Sequence, residues 1–252
     1  MTSTRVAWLA RIVLSATVVA WPPATSVAAP AQPAHVTAAA LRSPDPNVRL
    51  RAALDAVVEP LTDDVKGQLE RMAADPADPL RDVAFLAVAQ QDDAYASAHV
   101  DDVVRLVGIK LEWTTFDPGS GAVSNTHDLS AIPITLAGKL GPMAGGALPV
   151  LRRLEADADG WNAVSVRIAI ARIEGRPLQP LLDAAVVELS HRDRHRREAA
   201  VITIANLWPE TRSAPGALER LQVLEPLGEP WDAVVRRLIE QIGAESGSGG
   251  RR

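Results

Sequence analysis

One phrase occurs twice near the start of this chain, and each copy joins a short polar loop to an apolar helix. The two copies read Asp45-Pro46-Asn47-Val48-Arg49-Leu50-Arg51-Ala52-Ala53 and Asp78-Pro79-Leu80-Arg81-Asp82-Val83-Ala84-Phe85. Val48 and Leu80 lie 32 residues apart, a spacing typical of helical repeats. Because one such unit cannot bury its apolar face alone, neighbouring units must stack. The sequence therefore predicts an all-α array of helix pairs.

The same pattern continues through most of the chain. Five segments are predicted as the second helix of a pair: 48–58, 80–90, 161–174, 194–206 and 231–241. A first helix is predicted before each of them, for example from Thr62-Asp63-Asp64, where a capping residue precedes two acids. We expect a repeat domain over residues 41–243, a flexible lead-in over 29–40 and a disordered Gly/Ser-rich tail over 244–252.

The period changes once, between Gly108 and Leu129. Ile109, Leu111 and Trp113 alternate with polar residues, which is a strand pattern. A turn sequence follows at 117–121, and residues 122–126 fit a returning strand. We interpret residues 108–129 as a hairpin-like insertion in the array, with Trp113, Asn125 and His127 as candidate surface residues for a partner.

The first 28 residues have the features of an export signal. Arg5 and Arg11 form a positive start, the apolar stretch 12–21 follows, and Ser26-Val27-Ala28 fits the small-residue cleavage rule. We expect cleavage after Ala28 and a periplasmic or secreted protein without stable membrane insertion, the alternative being a retained anchor. A ten-residue helix rises about 15 Å, roughly half of a bilayer core, so the apolar stretch fits a signal sequence better than a membrane-spanning anchor.

Composition limits the possible functions. The chain has no cysteine, which excludes disulfides, thiol catalysis and a lipid-anchored cysteine. Its net charge of −5 becomes −7 when residues 1–28 and their two arginines are removed. Nucleic-acid binding depends on neutralising phosphates, so we expect no nucleic-acid partner. We expect no cofactor and no metal either.

Further along the chain, a second motif gives a family resemblance. It reads Leu136-Ala137-Gly138-Lys139-Leu140-Gly141-Pro142, followed by Ala147-Leu148-Pro149-Val150-Leu151. It resembles the junction between consecutive HEAT-like repeats of the bacterial lyase-type subclass, as do the loop at 45–49 and Ala52-Ala53. The resemblance covers most of 41–243 and implies a right-handed α-solenoid of about five antiparallel helix pairs. Trp231-Asp232 departs from the pattern, which suits a terminal cap.

The resemblance also bears on function. Most members of that family bind other proteins, and a minority act as chromophore lyases. It places the second helices on the inner, concave face of the array. We therefore expect an extracytoplasmic protein-interaction scaffold rather than an enzyme. The alternatives are a lyase-like or hydrolytic enzyme that uses the insertion, and an accessory subunit of an envelope complex.

Two groups of residues have the types needed for catalysis or metal binding. His191 and His195 are four apart, a spacing that can present two imidazoles on one helix face, but four nearby arginines would repel a cation. Ser124, His127 and Asp128 include the residue types of a hydrolase triad, yet triads usually gather residues from distant parts of a chain. We interpret both groups as polar surface.

The arginines point to two different roles. Arg49, Arg81 and Arg196 occupy one repeat position, where a guanidinium can bond to carbonyls or aspartates of the adjacent repeat. The five second helices together carry ten arginines and six acids, a net charge of +4 on an acidic chain. This imbalance favours a basic groove that attracts a protein with an acidic surface. The candidate contact residues are Arg167, Arg172, Arg196 and Arg197.

Overall fold

The computed structural model describes residues 36–116, 123–157, 160–211, 215–229 and 231–248. The predicted signal segment, most of the lead-in and the turn at 117–121 lie outside these residues. The described chain is mostly helical, which confirms the predicted all-α class. It divides into two compact units with the boundary between Leu136 and Ala137. We call residues 36–136 the first unit and residues 137–248 the second unit.

The first unit contains most of the repeat pattern identified first in the sequence. Its helices are α1 (Ala38–Leu41), α2 (Pro46–Val58), α3 (Asp63–Ala74), α4 (Arg81–Gln91), α5 (Asp93–Ala98) and α6 (Val100–Leu106). The strands β1 (Glu112–Phe116) and β2 (Val123–Asp128) follow, and then α7 (Ala131–Leu140), which continues past the boundary. The short α5 was not predicted; it begins where the side chain of Asp92 accepts a hydrogen bond from the amide of Tyr95.

Packing in the first unit centres on α4. It contacts its own first helix α3, the preceding second helix α2 and the following α5. Residues 83–90 of α4 are all buried. The side chain of Gln91 then closes the end of α2: it donates to the carbonyls of Ala56 and Glu59 at 2.8 and 2.7 Å and accepts from the amide of Leu61 at 3.2 Å.

The repeated arginines behave as the repeat pattern predicts in the first unit. Arg49 donates to the carboxylate of Asp78, in the loop before α4, at 2.6 Å. Arg81 donates to the carbonyl of Ala73 at 3.1 Å and to Asp102 of α6 at 3.3 Å. Arg196 differs, since it pairs with Glu188 at 2.5 Å, on the first helix of its own pair. Arg49 and Arg81 therefore each bond to an aspartate in a later segment of the chain, as predicted, whereas Arg196 bonds within its own helix pair.

The predicted insertion forms an antiparallel hairpin of β1 and β2. Trp113 pairs with His127 and Thr115 with Asn125, and the register shifts between Thr115 and Phe116. Because alternate residues of a strand point to opposite faces, these four side chains share one face. The hairpin packs on α2, where Arg51 donates to the carbonyl of Phe116 at 3.3 Å.

The second unit continues after α7 with a 3₁₀ segment (Gly141–Ala147). It then contains α8 (Leu148–Asp157), α9 (Gly160–Ile173), α10 (Gln179–Glu188), α11 (Arg194–Thr211), α12 (Ala217–Gln222) and α13 (Trp231–Ser248). Helix α7 ends just before Gly141, which has a φ of +58°. The last helix extends to Ser248, further than the sequence predicts.

Helix pairs also organise the second unit. The helices of each pair contact each other, α8 with α9, α10 with α11 and α12 with α13. Successive second helices contact as well, α9 with α11 and α11 with α13. Their buried side chains form one core that includes Ile204, Leu207 and Leu221.

One stretch of the described chain, 131–156, is long and apolar enough to cross a membrane by length and composition alone. Core helices of many proteins pass the same test, and the stretch includes the 3₁₀ segment. It is therefore weak evidence of a membrane span.

Gly138 in the resemblance motif allows a close approach between α7 and α9. A Cβ added there would lie 3.0 Å from the Cα of Ala169 and 3.3 Å from its Cβ. The Cα of Ala169 is a backbone atom, so it cannot move away as the end of a flexible side chain can.

Replacing Gly138 by valine should therefore lower the melting temperature by several degrees, because overpacking costs about 1–3 kcal/mol. The matched variant Gly67→Ala lies in α3, where the added methyl has only Arg71 Nη1 within reach, at 4.0 Å. It should leave the melting temperature unchanged or raise it, since alanine favours helix by about 1 kcal/mol. Calorimetry that finds Gly138→Val as stable as the wild type would contradict the close approach.

Candidate functional site

A cleft of about 370 Å³ opens in the first unit between α3, α4 and the two short helices that follow. The end of α3 contributes Glu70 and two alanines, and the start of α4 contributes Arg81 and Phe85. Its remaining wall is lined by Tyr95, His99 and Asp102. The cleft thus combines an apolar floor with a charged rim inside one unit.

Three rings form the aromatic side of the cleft. The rings of Tyr95 and His99 lie 4.2 Å apart between centroids and are tilted by 30°. Phe85 is buried beneath them, 5.9 Å from Tyr95 and 6.3 Å from His99. The spacing of Tyr95 and His99, four residues apart, brings both rings to the same side of the chain. The imidazole is oriented by its Nδ1, which donates to the carbonyl of Tyr95 at 2.9 Å. In the neutral ring Nε2 is then an acceptor.

The charged rim is held by an ion-pair network. Arg81 is fixed by the carbonyl of Ala73 and by Asp102. Arg105 bonds to Asp102 at 3.3 Å and to Asp82 at 2.8 Å. These bonds to Asp102 all fall on Oδ1. Glu70 has a longer contact, 3.7 Å, with Lys66.

The surroundings of the cleft shift the pKa of Tyr95. Burial raises the pKa of its phenol, and the carboxylates of Glu70 and Asp102 raise it further. Arg81 and Lys66 oppose this effect but do not cancel it. The phenol therefore stays neutral at ordinary pH, mainly because it is partly buried.

The cleft was not predicted from the sequence. The repeated arginine position includes Arg81, but the repeat pattern gives no reason to connect it with Glu70, Tyr95 or His99. The available signals were weak: Tyr95 is the single tyrosine of the chain, and His99 follows it at helical spacing. Glu70 and Asp102 are far apart in the sequence, and both line the cleft because α3 packs against α4 and the short helices follow α4.

The predicted insertion residues do come together. Trp113, Asn125 and His127 share one face of the hairpin with Thr115, which is buried. His127 and Asp128 are consecutive in β2 and therefore point to opposite faces. Asp128 instead accepts from the amide of Ser130 at 2.8 Å. The side chain of Ser124 lies outside the described residues, so the triad hypothesis gains no geometric support.

Burial lowers the pKa of His127, and the charge of Arg51 lowers it further. The unfolded chain then binds a proton to this residue at a higher pH than the folded chain does.

Stability should therefore fall as the pH drops below about 6.5, the ordinary pKa of histidine. The variant His127→Gln should lose this part of the pH dependence in denaturant unfolding between pH 7 and 5. Thr126→Gln, on the opposite face, should retain it. An unchanged slope in His127→Gln would contradict the assignment.

The four predicted partner-binding arginines all lie on α9 and α11, but in different surroundings. Arg167 is exposed, with Glu155 at 3.7 Å, and Arg172 is in the last turn of α9. Arg196 pairs with Glu188. The side chain of Arg197 is 13% exposed and donates to the carbonyls of His191 and Arg192. Two of the four are therefore held by α10 or by the loop before α11.

The imidazoles of His191 and His195 already contact other groups of the protein. His191 Nδ1 accepts from the amide of Asp193 at 3.0 Å, and its Nε2 faces Arg196 at 2.9 Å. His195 Nδ1 lies 3.3 Å from Glu198. Within the part of the chain that the structure describes, no group of three or more His, Asp or Glu side chains is placed to hold a metal.

Comparison with known proteins gave no relative. No family model, curated protein or solved structure matches the chain. The resemblance to HEAT-like repeats therefore stays a prediction that rests on the motifs themselves.

Proposed function

We propose that this chain is an extracytoplasmic protein-interaction scaffold built as a HEAT-like, right-handed α-solenoid of about five helix pairs. The packing inside each unit supports the repeat architecture. Second helices contact second helices, α2 with α4 in the first unit and α9 with α11 and α13 in the second. The arginine ties from Arg49 and Arg81 give consecutive segments the same polar connection.

The observation that carries the binding function is the cleft of the first unit. Protein-binding hot spots are enriched in aromatic residues and arginine, set in a pocket and surrounded by polar groups. The cleft has this composition, with Tyr95, Phe85 and Arg81 in a concavity of side-chain size. We therefore place the principal contact with a partner here rather than on the second-helix arginines.

The surroundings of the arginines on α9 and α11 give less support to the hypothesis that they bind a partner with an acidic surface. Pairing with Glu155 and Glu188 reduces the excess positive charge that would attract an acidic partner. The burial of Arg197 leaves little of its side chain for direct contact. An acidic partner on this surface, an enzyme that uses the insertion and an accessory subunit of an envelope complex remain separate hypotheses. Export through residues 1–28 is part of the proposal.

A photo-crosslinking residue tests the location of the partner site. Position 98 is exposed and adjoins His99 at the rim of the cleft, whereas position 223 is 81% exposed in the second unit. The variants Ala98→benzoylphenylalanine and Val223→benzoylphenylalanine, matched in melting temperature, are irradiated in envelope extract of the native host. We expect a discrete protein adduct from position 98 that position 223 does not give. No adduct at 98, or the same products from both positions, would contradict the proposal.

A further inference from the structure

The chemistry of the cleft specifies what kind of group fits it. Of its charged lining residues, Glu70 and Asp102 are acids and Arg81 is basic. The guanidinium of Arg81 is already used, since Nε bonds to the carbonyl of Ala73 and Nη2 to Asp102. Among the residues that the structure describes, the one polar contact of Glu70 is with Lys66 at 3.7 Å, and Glu70 is 40% exposed. The acceptors of the cleft are thus less fully used than its donors.

The acceptors that line the cleft come from different segments of the first unit. Glu70 lies on α3. Within the described part of the chain, the three bonds that Asp102 accepts from arginines fall on Oδ1, so Oδ2 can accept another. His99 adds Nε2 as an acceptor in the neutral ring, because Nδ1 donates to a carbonyl. An incoming group with several N–H donors matches this arrangement, whereas an anion would meet two carboxylates.

The aromatic wall favours a planar cation. A positive charge over the face of Tyr95 is attracted to the ring, and the attraction is stronger when water is excluded. Glu70 and Asp102 both act on this ring: after burial, which is the largest cause, their charges also raise the pKa of Tyr95. The methyl groups of the alanines at the end of α3, with the ring of Phe85, provide an apolar surface for an alkyl stem.

We propose that this cleft binds the guanidinium of an arginine side chain carried by the partner polypeptide. A planar fork of N–H donors bonds to carboxylates and stacks on aromatic rings, which a lysine ammonium does less well. The cleft volume of about 370 Å³ is at the low end for ligand pockets, which suits one side chain rather than a larger molecule. This inference rests on the proposed scaffold function and adds the chemistry of recognition to it.

Titration of the full chain with short peptides tests the proposal directly. The probes are acetyl-Ala-Arg-Ala-amide, the same peptide with lysine, and the same peptide with citrulline, which keeps the shape of arginine without its charge. The readout is the shift of backbone amide resonances of Tyr95 and His99 in two-dimensional NMR. We expect saturable shifts with arginine, weaker ones with lysine and none with citrulline.

Variants identify the groups responsible. Glu70→Gln should raise the dissociation constant of the arginine peptide about tenfold, as loss of a charge-assisted hydrogen bond predicts. Tyr95→Leu should raise it about three- to tenfold through loss of the ring. Glu219→Gln, an exposed acid on α12 in the second unit, is the matched control and should leave binding unchanged. Melting temperatures of all three variants verify that they are folded.

Several results would overturn the proposal. Equal binding of the citrulline peptide would mean that charge is not recognised, and shifts confined to other residues would place the site elsewhere. If the crosslink from position 98 persists without arginine binding, the scaffold function stands and this ligand is wrong. Arginine binding without a crosslinked partner would indicate failure of the scaffold function instead.

Discussion

The first unit depends on the complete burial of α4. Eight consecutive residues, 83–90, have almost no exposed surface. A helix that is apolar on every side is stable only when neighbours cover every side. Helices α2, α3 and α5 pack against it. Burial of a large apolar side chain contributes about 1.5–3 kcal/mol, so a helix of this kind supplies much of the driving force for the unit. The polar ends are satisfied separately, Arg81 at one end and Gln91 at the other.

The cleft is a consequence of that packing. The first turn of α4 must emerge from the core to begin the helix, and it places Arg81 at the rim while Phe85 remains inside. Helix α3 brings Glu70 to one side, and the short helices after α4 bring the aromatic pair to the other. The side chains that we propose bind a partner are therefore held by the same contacts that stabilise the fold. Such a site is preorganised, which reduces the entropy cost of binding.

The sequence predicted the helices well because their signals are local. The loop phrase before α2 and α4, the capping threonine at position 62 and the alternation in 109–113 each depend on a few neighbouring residues. The hairpin and the arginine ties followed from the same patterns. Gly138 was quoted only as part of a motif, and its role in helix packing required the position of Ala169.

The cleft and the Gln91 bonds could not be predicted in this way. Gln91 reaches carbonyls 32 and 35 positions away, and no periodic pattern marks such a contact. The basic surface on α9 and α11 was predicted from a sum of charges that left out the ion-pair partners. Glu155 and Glu188 pair with two of its arginines and reduce its positive charge. Charge sums over helices omit these pairings because they depend on side-chain positions.

Native-state hydrogen exchange measured residue by residue tests the central claim, that buried α4 supports both the core and the cleft. We predict that amides of residues 84–90 exchange only through global unfolding of the unit, with protection equal to its full stability. The amides of Tyr95 and His99 should exchange faster, through local opening. Exchange of 84–90 at rates similar to those of the short helices α1 and α6 would contradict the account.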